Sequence, residues 1–372
     1  MERYDVVVVG VGGMGSAALY HLARRGKRVL GIERFEIPNE LGSSHGVTRI
    51  IRQAYFEHPS YVPLVRRAYE LWRELEAEAG EQLLFITGAV EGGPGIFEGA
   101  VRSSVEHALP FEELDGAEVT RRFPAFRLPP DLRVVYQKDG GFLLSERCIL
   151  AHVAGARAHG ADVWTDEPVL DWSAGTNGVR VRTARREVEA ERLVLTAGAY
   201  SQEVARLAPG MVVAQRQVLG WLEPERPELF SADRFPVFNL ALEEGHVYGF
   251  PIHGVPGFKI GFYDHEGARG DPDMISREVT PDDEVPLRRF AERYFPDGAG
   301  RTLDVRACLF ELSPDEHFLI DLHPGSELAV LGAGFSGHGF KFCSVVGEIL
   351  ADLALDGRTL HDIGFLQLGR FG

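Results

Sequence analysis

The chain has 372 residues, 45% of them apolar and 25% charged, the profile of a globular protein with room for about two domains at roughly 150 residues each. Fifty-five acidic against 39 basic residues give a formal net charge of −16, a mean field that repels phosphate and argues against nucleic acid or an anionic membrane as partner, although a local Arg/Lys cluster still admits a small anion. Three cysteines make no disulfide framework, and no apolar run approaches the ~20 residues of a membrane span.

The first strand-like run begins at Tyr4, which leaves no room for a signal peptide and predicts a cytoplasmic protein. Tyr4 to Gly10 is an apolar, Val-rich run of the kind buried on both faces of a sheet. Ser16 to Arg25 reads as a helix stopped by Gly26, and Arg28 to Glu33 as a second strand, completing a βαβ unit. A strongly helical stretch runs from Tyr61 to Gly80. From about Leu84 to Leu144 the pattern shifts to short strands, Pro-rich turns and charged segments.

A helix from Ile149 to His159 leads to strands at Ala161–Trp164 and Gly178–Arg182, and Arg192 to Ala199 is an apolar strand running straight into glycine. Alternation dominates from Gln215 to about Ser313, as in Phe258–Phe262, and predicts mostly antiparallel sheet. Glu327 to Gly334 is a buried strand and Gly339 to Leu355 holds the last helix. The α/β segments thus fall in three pieces, 1–83, 144–211 and 316–372, separated by two β-rich ones, 84–143 and 212–315. One domain is expected to be interrupted twice by another.

Gly10, Gly12 and Gly15 fit G-x-G-x-x-G in the context that gives the motif meaning, a strand before and a helix after. Such glycines bring backbone N–H groups to a pyrophosphate at the positive end of the helix. Glu33, roughly 20 residues further on, stands where an acid accepts ribose hydroxyls; the bland alternative is a tight turn and a solvated glutamate. Two more glycine-ended strands, at Gly198 and at Gly332-Ala-Gly-Phe-Ser-Gly-His-Gly-Phe-Lys341, favour FAD over a nicotinamide cofactor. The last of these opens onto a helix, so its N–H donors suit the negative edge of a reduced flavin.

His45, Arg49 and Arg52 cluster in the Gly/Ser-rich segment Gly42 to Arg52, able to face a redox ring or an anionic substrate, or simply to be surface arginines and a capping histidine. Only four of the basic residues are lysines, and Lys259 and Lys341 sit in apolar surroundings, whereas Lys27 and Lys138 sit among polar ones. An ammonium is a compact point charge that Arg does not replace; the two lysines suggest fixed charges in a partly dry site, against the alternative of a packed stem with a snorkelling head. Cys308 reads on spacing alone as a small apolar filler, and Cys148 and Cys343, in helical contexts, carry no assigned role.

Together with the first glycine run, Gly42-Ser-Ser-His-Gly-Val-Thr-Arg-Ile-Ile-Arg52, Tyr248-Gly-Phe-Pro251, Cys308 followed by Asp315 to Pro324, and Ala333 to Phe342 resemble the monomeric sarcosine oxidase and N-methyltryptophan oxidase family over about Tyr4 to Ile363. The resemblance implies an α/β fold: a glutathione-reductase-type FAD-binding Rossmann domain with an interleaved β-rich, antiparallel-sheet substrate domain. It implies oxidation of a secondary amino acid, sarcosine or another N-alkyl glycine, by O2 to an imine with release of H2O2, in a cytoplasmic monomer without a metal.

Cys308 matches the residue that ties the flavin through a thioether, which overturns the filler reading. Arg52 and Lys341 match a clamp on the substrate carboxylate, Lys259 the lysine that activates O2, His45 and Arg49 the basic residues around the ring, and Tyr248 a pocket tyrosine. The cofactor-binding set so implied is Gly10, Gly12, Gly13, Met14, Gly15, Glu33, Arg34, Ser43, Ser44, His45, Thr48, Arg49, Val169, Gly198, Cys308, Gly334, Phe335, Gly337, His338, Gly339, Phe340 and Lys341. Tyr263, Asn239 and Phe310 depart from the family's histidine, methionine and tyrosine, all on the substrate side; the loss of the hydroxyl at Phe310 suggests room for a bulkier apolar N-substituent. The competing readings are a flavin-dependent amino-acid dehydrogenase, a D-amino-acid or glycine-type oxidase, and a non-enzymatic FAD-binding module.

Overall fold

The computed structural model describes residues 2–263, 265 and 267–372. Its first sheet has eight strands. Glu2–Val9 lies at the centre, parallel to Val29–Ile32 on one side and to Glu187–Leu195 on the other. Asp162–Trp164 extends the parallel array beyond Val29–Ile32, and Ser326–Ala333 joins it beside Glu187–Leu195. Val169–Gly175, Gly178–Thr183 and Leu319–His323 add antiparallel edges. The valines of Glu2–Val9 are fully or nearly fully buried because both faces are covered: helices Gly13–Arg24, Ser145–Ala158 and Cys343–Asp356 pack together on one side, with Tyr61–Ala79 behind them.

The second sheet has nine strands in the order Arg269–Gly270, Val213–Leu222, Phe258–Phe262, Gly245–Phe250, Val237–Leu242, Ala89–Gly92, Arg133–Gln137, Glu112–Asp115, with Thr302–Leu312 also pairing along Val213–Leu222. It is antiparallel apart from one join, Val237–Leu242 beside Ala89–Gly92, which is parallel. That join brings two segments distant in sequence into one sheet. A small three-stranded sheet, Thr48–Ile51, Gly141–Leu144 and Leu84–Ile86, lies at the seam.

Among the described residues three helices, Ile96–Glu106, Gly116–Arg122 and Pro281–Tyr294, interrupt stretches that alternation and turn residues marked as sheet and loop. Pro281–Tyr294 starts with Pro in its first turn and a reciprocal cap between Thr280 and Asp283, a start signal that is local and easily masked by neighbouring strands. Ile96–Glu106 follows Gly95, held at φ 78°, and packs its apolar face on the sheet beneath.

Candidate active site

Two neighbouring cavities with shared wall residues lie along the seam. The larger cleft, about 1460 Å3 including its open mouth, follows the carboxyl ends of the parallel strands, where ligands of such sheets bind. A smaller one of about 620 Å3 lies against the antiparallel sheet, and Arg49, Phe310, Gly337 and Phe340 wall both.

The cleft is shaped by backbone. Helix Gly13–Arg24 begins with no side-chain cap and no acid in its first turn, so its N–H groups and positive end are left to an outside anion. Gly10 turns at φ 86°, and a Cβ on Gly15 would be driven into the Gly10 carbonyl. Gly10, Gly12, Gly13 and Met14 line the cleft, while Gly15 sits one layer beneath and permits the turn. Glu33 lines it too; it is buried, accepts the Val11 N–H at 2.7 Å and the Phe35 N–H at 3.1 Å, and its carboxyl is raised by burial. Both of its oxygens keep lone pairs for a ribose.

Arg34, Ser43, Ser44, Arg49, Val169, Gly198, Phe335, Gly337, Gly339 and Phe340 also line the cleft. The Ser43 hydroxyl is buried with no hydrogen-bond partner among the described residues. Residues that sequence reasoning passed over join the wall: Thr196, whose hydroxyl donates to the Gly10 carbonyl at 2.8 Å; Glu311, buried and pushed up to about 8 by burial; and Cys343, which is part of the wall rather than a bystander. Gly334 lies behind, at φ 63°, and donates its N–H to Glu311 at 3.2 Å.

Four of the expected residues stand one layer behind the cleft wall, in a single buried group. Lys259 Nζ donates to the carbonyls of Gly46 and Thr48, at 2.8 and 2.7 Å, and reaches the Thr48 hydroxyl at 3.2 Å. It lies 4.2 Å from the Phe250 ring centroid; burial and then Arg49 pull its pKa well below the ordinary lysine value. Both ring nitrogens of His45 are buried without hydrogen-bond partners among the described residues, and burial followed by Arg49 lowers it to about 3. Cys308 is a free, buried thiol packed on Leu219 and Trp221, pushed up by burial against the opposing pull of Arg49 and Lys259. It shares its strand face with Phe310, two residues on, which reaches both cavities.

The His45–Thr48 loop is held by a residue with no sequence signal. Glu146 accepts the N–H groups of Gly46 and Val47, and Val47 sits at φ 72°, a costly conformation for a β-branched residue that such bonds over-determine. Arg49 completes the loop, donating to the Ser43 and Thr48 carbonyls at 2.9 Å each.

The smaller cavity is walled by side chains. Arg52, 1% exposed, gives Nη2 to both oxygens of Glu57 at 2.8 Å and Nη1 to the Ala54 carbonyl at 3.1 Å, and holds Nε 2.9 Å from Glu91. Burial works against its charge, but Glu57 and Glu91 more than offset that and raise its pKa. Lys341 Nζ donates to the His338 carbonyl at 2.8 Å, and burial with Arg52 nearby lowers it to about 7. His338 belongs to this cavity rather than the cleft. Its Nε2 donates to the Glu316 carbonyl at 2.9 Å and its Nδ1 accepts the Tyr55 hydroxyl at 2.6 Å, so the ring has no donor left for a cofactor.

Tyr248 lines the cavity, its hydroxyl kept protonated by burial. Tyr263 donates to the Ser336 carbonyl and stacks on His246, 4.9 Å between centroids. His246 is held in turn by Asn239 at 2.5 Å. A histidine therefore stands in the pocket, supplied from a neighbouring strand instead of position 263.

The backbone cradle, the uncapped helix end and Glu33 fit an FAD, and the cations along the seam fit its ring and an anionic ligand beside it. Among the described residues no group of three His, Cys, Asp or Glu could hold a metal ion, and no helix is long and apolar enough to cross a membrane.

The family described as FAD dependent oxidoreductase matches residues 5–353. The chain is 40% identical to monomeric sarcosine oxidase of Bacillus sp. (strain NS-129) over 376 residues, covering 99% of this chain and 97% of that one. It is 33% identical to N-methyl-L-tryptophan oxidase of Yersinia pestis (strain Pestoides F), covering 99% of each. Its fold superposes with a TM-score of 0.87 on NikD, an unusual amino acid oxidase essential for nikkomycin biosynthesis, at 27% identity, over 99% of this chain and 98% of that one. The chain belongs to the FAD-dependent oxidoreductases, in the family of the sarcosine and N-methyltryptophan oxidases.

Proposed function

We propose that this enzyme oxidises a secondary amino acid with a free carboxylate, sarcosine or another N-alkyl glycine, to an imine that water splits into an aldehyde and the amine. Bound FAD supplies the two-electron acceptor and passes the electrons to O2, giving H2O2. The observation that carries the reading is the placement of Arg52 and Lys341 on the wall of a small cavity that shares four wall residues with the cofactor cleft. A carboxylate held there fixes the amine and its N-alkyl carbon beside the cleft, removing much of the orientation cost of the reaction. Arg49 and Lys341 disfavour a protonated amine nearby, keeping its lone pair available.

Lys259, anchored to two carbonyls, holds a proton-bearing point charge where reduced oxygen species would form. Cys308 is read as the thioether partner of the flavin, with Arg49 and Lys259 as the cations that favour its thiolate. The protein is read as a cytoplasmic monomer that needs no macromolecular partner. Phe310 and Tyr263, 5.5 Å apart, offer aromatic surface to the N-substituent, which favours bulkier groups than methyl.

The test is peroxide production against N-alkyl glycines, proline, pipecolate and D-amino acids, each paired with its amide. Turnover of the acids and not the amides is expected; equal turnover of both removes the clamp. N-Benzylglycine should outperform sarcosine, and a strong sarcosine preference would refute the role given to Phe310. Acid precipitation should leave yellow colour in the pellet, whereas free flavin in the supernatant rejects the thioether. Lys259→Met should slow reoxidation by O2 far more than reduction by substrate; the opposite pattern favours a dehydrogenase.

A further inference from the structure

Glu91 stands in the strand Ala89–Gly92, all four residues of which are buried, beside Asn239 of its parallel neighbour. It is 1% exposed, and neither carboxylate oxygen has a well-formed hydrogen bond among the described residues. Its contact is Arg52 Nε at 2.9 Å. An acid in that position has no role in holding the sheet, and an unsatisfied buried carboxylate is costly. Its position behind the residue assigned to grip the substrate gives it a function.

Four charged groups meet here: Arg52, Lys341, Glu57 and Glu91. Tyr69, from helix Tyr61–Ala79, faces Glu91 as well and is kept neutral by burial, by Asp139 and by Glu91 itself. With both acids ionised and Lys341 protonated the cluster is neutral. An arriving carboxylate adds a negative charge to a dry site unless a proton comes with it. Glu57 is poorly placed to take that proton, since its bidentate bond to Arg52 outweighs burial and holds it down to about 2. Glu91, with one contact and full burial, is pushed up to about 7.

We propose that Glu91 couples carboxylate binding to proton uptake: the ligand enters the Arg52–Lys341 clamp together with one proton from solvent, which Glu91 takes, so the cluster stays neutral. This rests on the clamp described under the proposed function. Arg52 then keeps its place against Glu57, and substrate affinity falls as pH rises and Glu91 stays ionised. Lys341 titrates in the same range and in the same sense, losing its own charge as pH rises, so a pH profile of the native protein alone does not assign the proton.

The experiment uses the yellow holoenzyme and methoxyacetate, a sarcosine analogue with an ether oxygen for the amine, and follows flavin absorbance from pH 6 to 9. In Glu91→Gln, methoxyacetate should bind about tenfold more tightly than in the native protein at pH 8.5 and equally at pH 6, as expected for removal of one linked proton. Weaker binding at every pH would mean that Glu91 merely supports Arg52, and an unchanged profile would assign the proton to Lys341; either overturns the proposal. Calorimetry in phosphate and Tris at pH 8 counts the protons directly: the native holoenzyme should take up close to one proton more on binding than Glu91→Gln does, and equal uptake by the two overturns the proposal. If methoxyacetate leaves the flavin spectrum and the calorimeter unmoved at every pH, the clamp itself fails, and the coupling falls with it.

Discussion

The cofactor cleft and the smaller cavity share four wall residues but are built from different material. The cleft is made of backbone: glycine turns, an uncapped helix end, and strand ends held in register by the sheet. The cavity is made of side chains drawn from six separate segments, with Arg52, Lys341 and Glu57 on its wall and Glu91 behind it balancing one another's charge. A backbone site tolerates change only where space exists, while a side-chain site is retuned by single substitutions. Within one family that division lets the cofactor stay fixed while the substrate changes.

The sharpest break in the comparison comes from two glycines of the same turn, one beneath the cleft and one on its wall. Gly15→Ala drives its Cβ into the Gly10 carbonyl and to within 2.6 Å of Thr196 Oγ1, so the turn must move. A loss above about 3 kcal/mol, with little or no flavin retained, is expected from such overpacking, measured by Tm and the ratio of flavin to protein. Gly12→Ala meets no atom within 4 Å and lines the cleft. The apoprotein should therefore keep its Tm while flavin affinity drops. Normal flavin content in Gly12→Ala would show that the pyrophosphate does not pass that point.

A smaller effect is expected on the other side. Arg52 already gives Nη2 to Glu57 and Nη1 to the Ala54 carbonyl and is ion-paired through Nε with Glu91, whereas Lys341 spends one donor on the His338 carbonyl and has two left. Lys341→Met should raise KM for a carboxylate substrate about 100-fold, within the range for unpairing a buried charge, and leave the enzyme yellow. An unchanged KM in steady-state peroxide assays would remove Lys341 from the clamp.

The same division explains what could be read in advance. Gly10, Gly12 and Gly15 between an apolar strand and a helix announce a cradle, because each glycine answers a local backbone demand. Lys259 and Lys341 were legible as odd lysines in apolar runs. Glu57 and Glu91 were not: one sits in a loop and one in an ordinary strand, and their meaning comes from converging on Arg52, one from the same segment and one across the fold. His246 was hidden likewise, since a cross-strand stack on Tyr263 fixes its place. The Pro281–Tyr294 helix was missed within a region of alternating residues, although its cap is written in Thr280 and Asp283.

The least of the three effects lies in acid. Burial lowers His246 from the ordinary 6.5 to about 4, so the folded chain holds it neutral where the unfolded chain would protonate it. Its stabilisation is present above about 6.5 and is lost as pH falls through about 4, reaching about 2 kcal/mol at pH 5 as an upper figure. Glu91 and Glu311 run the other way: burial raises them from 4.5 to about 7 and about 8, so what they contribute below 4.5 is lost as pH rises through those values. The Tm of the native protein therefore mixes both signs, and a variant is needed to separate them. His246→Phe keeps a ring against Tyr263 and Phe56 while removing the titrating group and the Asn239 bond. Relative to the native protein its Tm should improve as pH is taken from 8 to 5, and parallel Tm curves would show that His246 is solvated in the folded cavity rather than held dry.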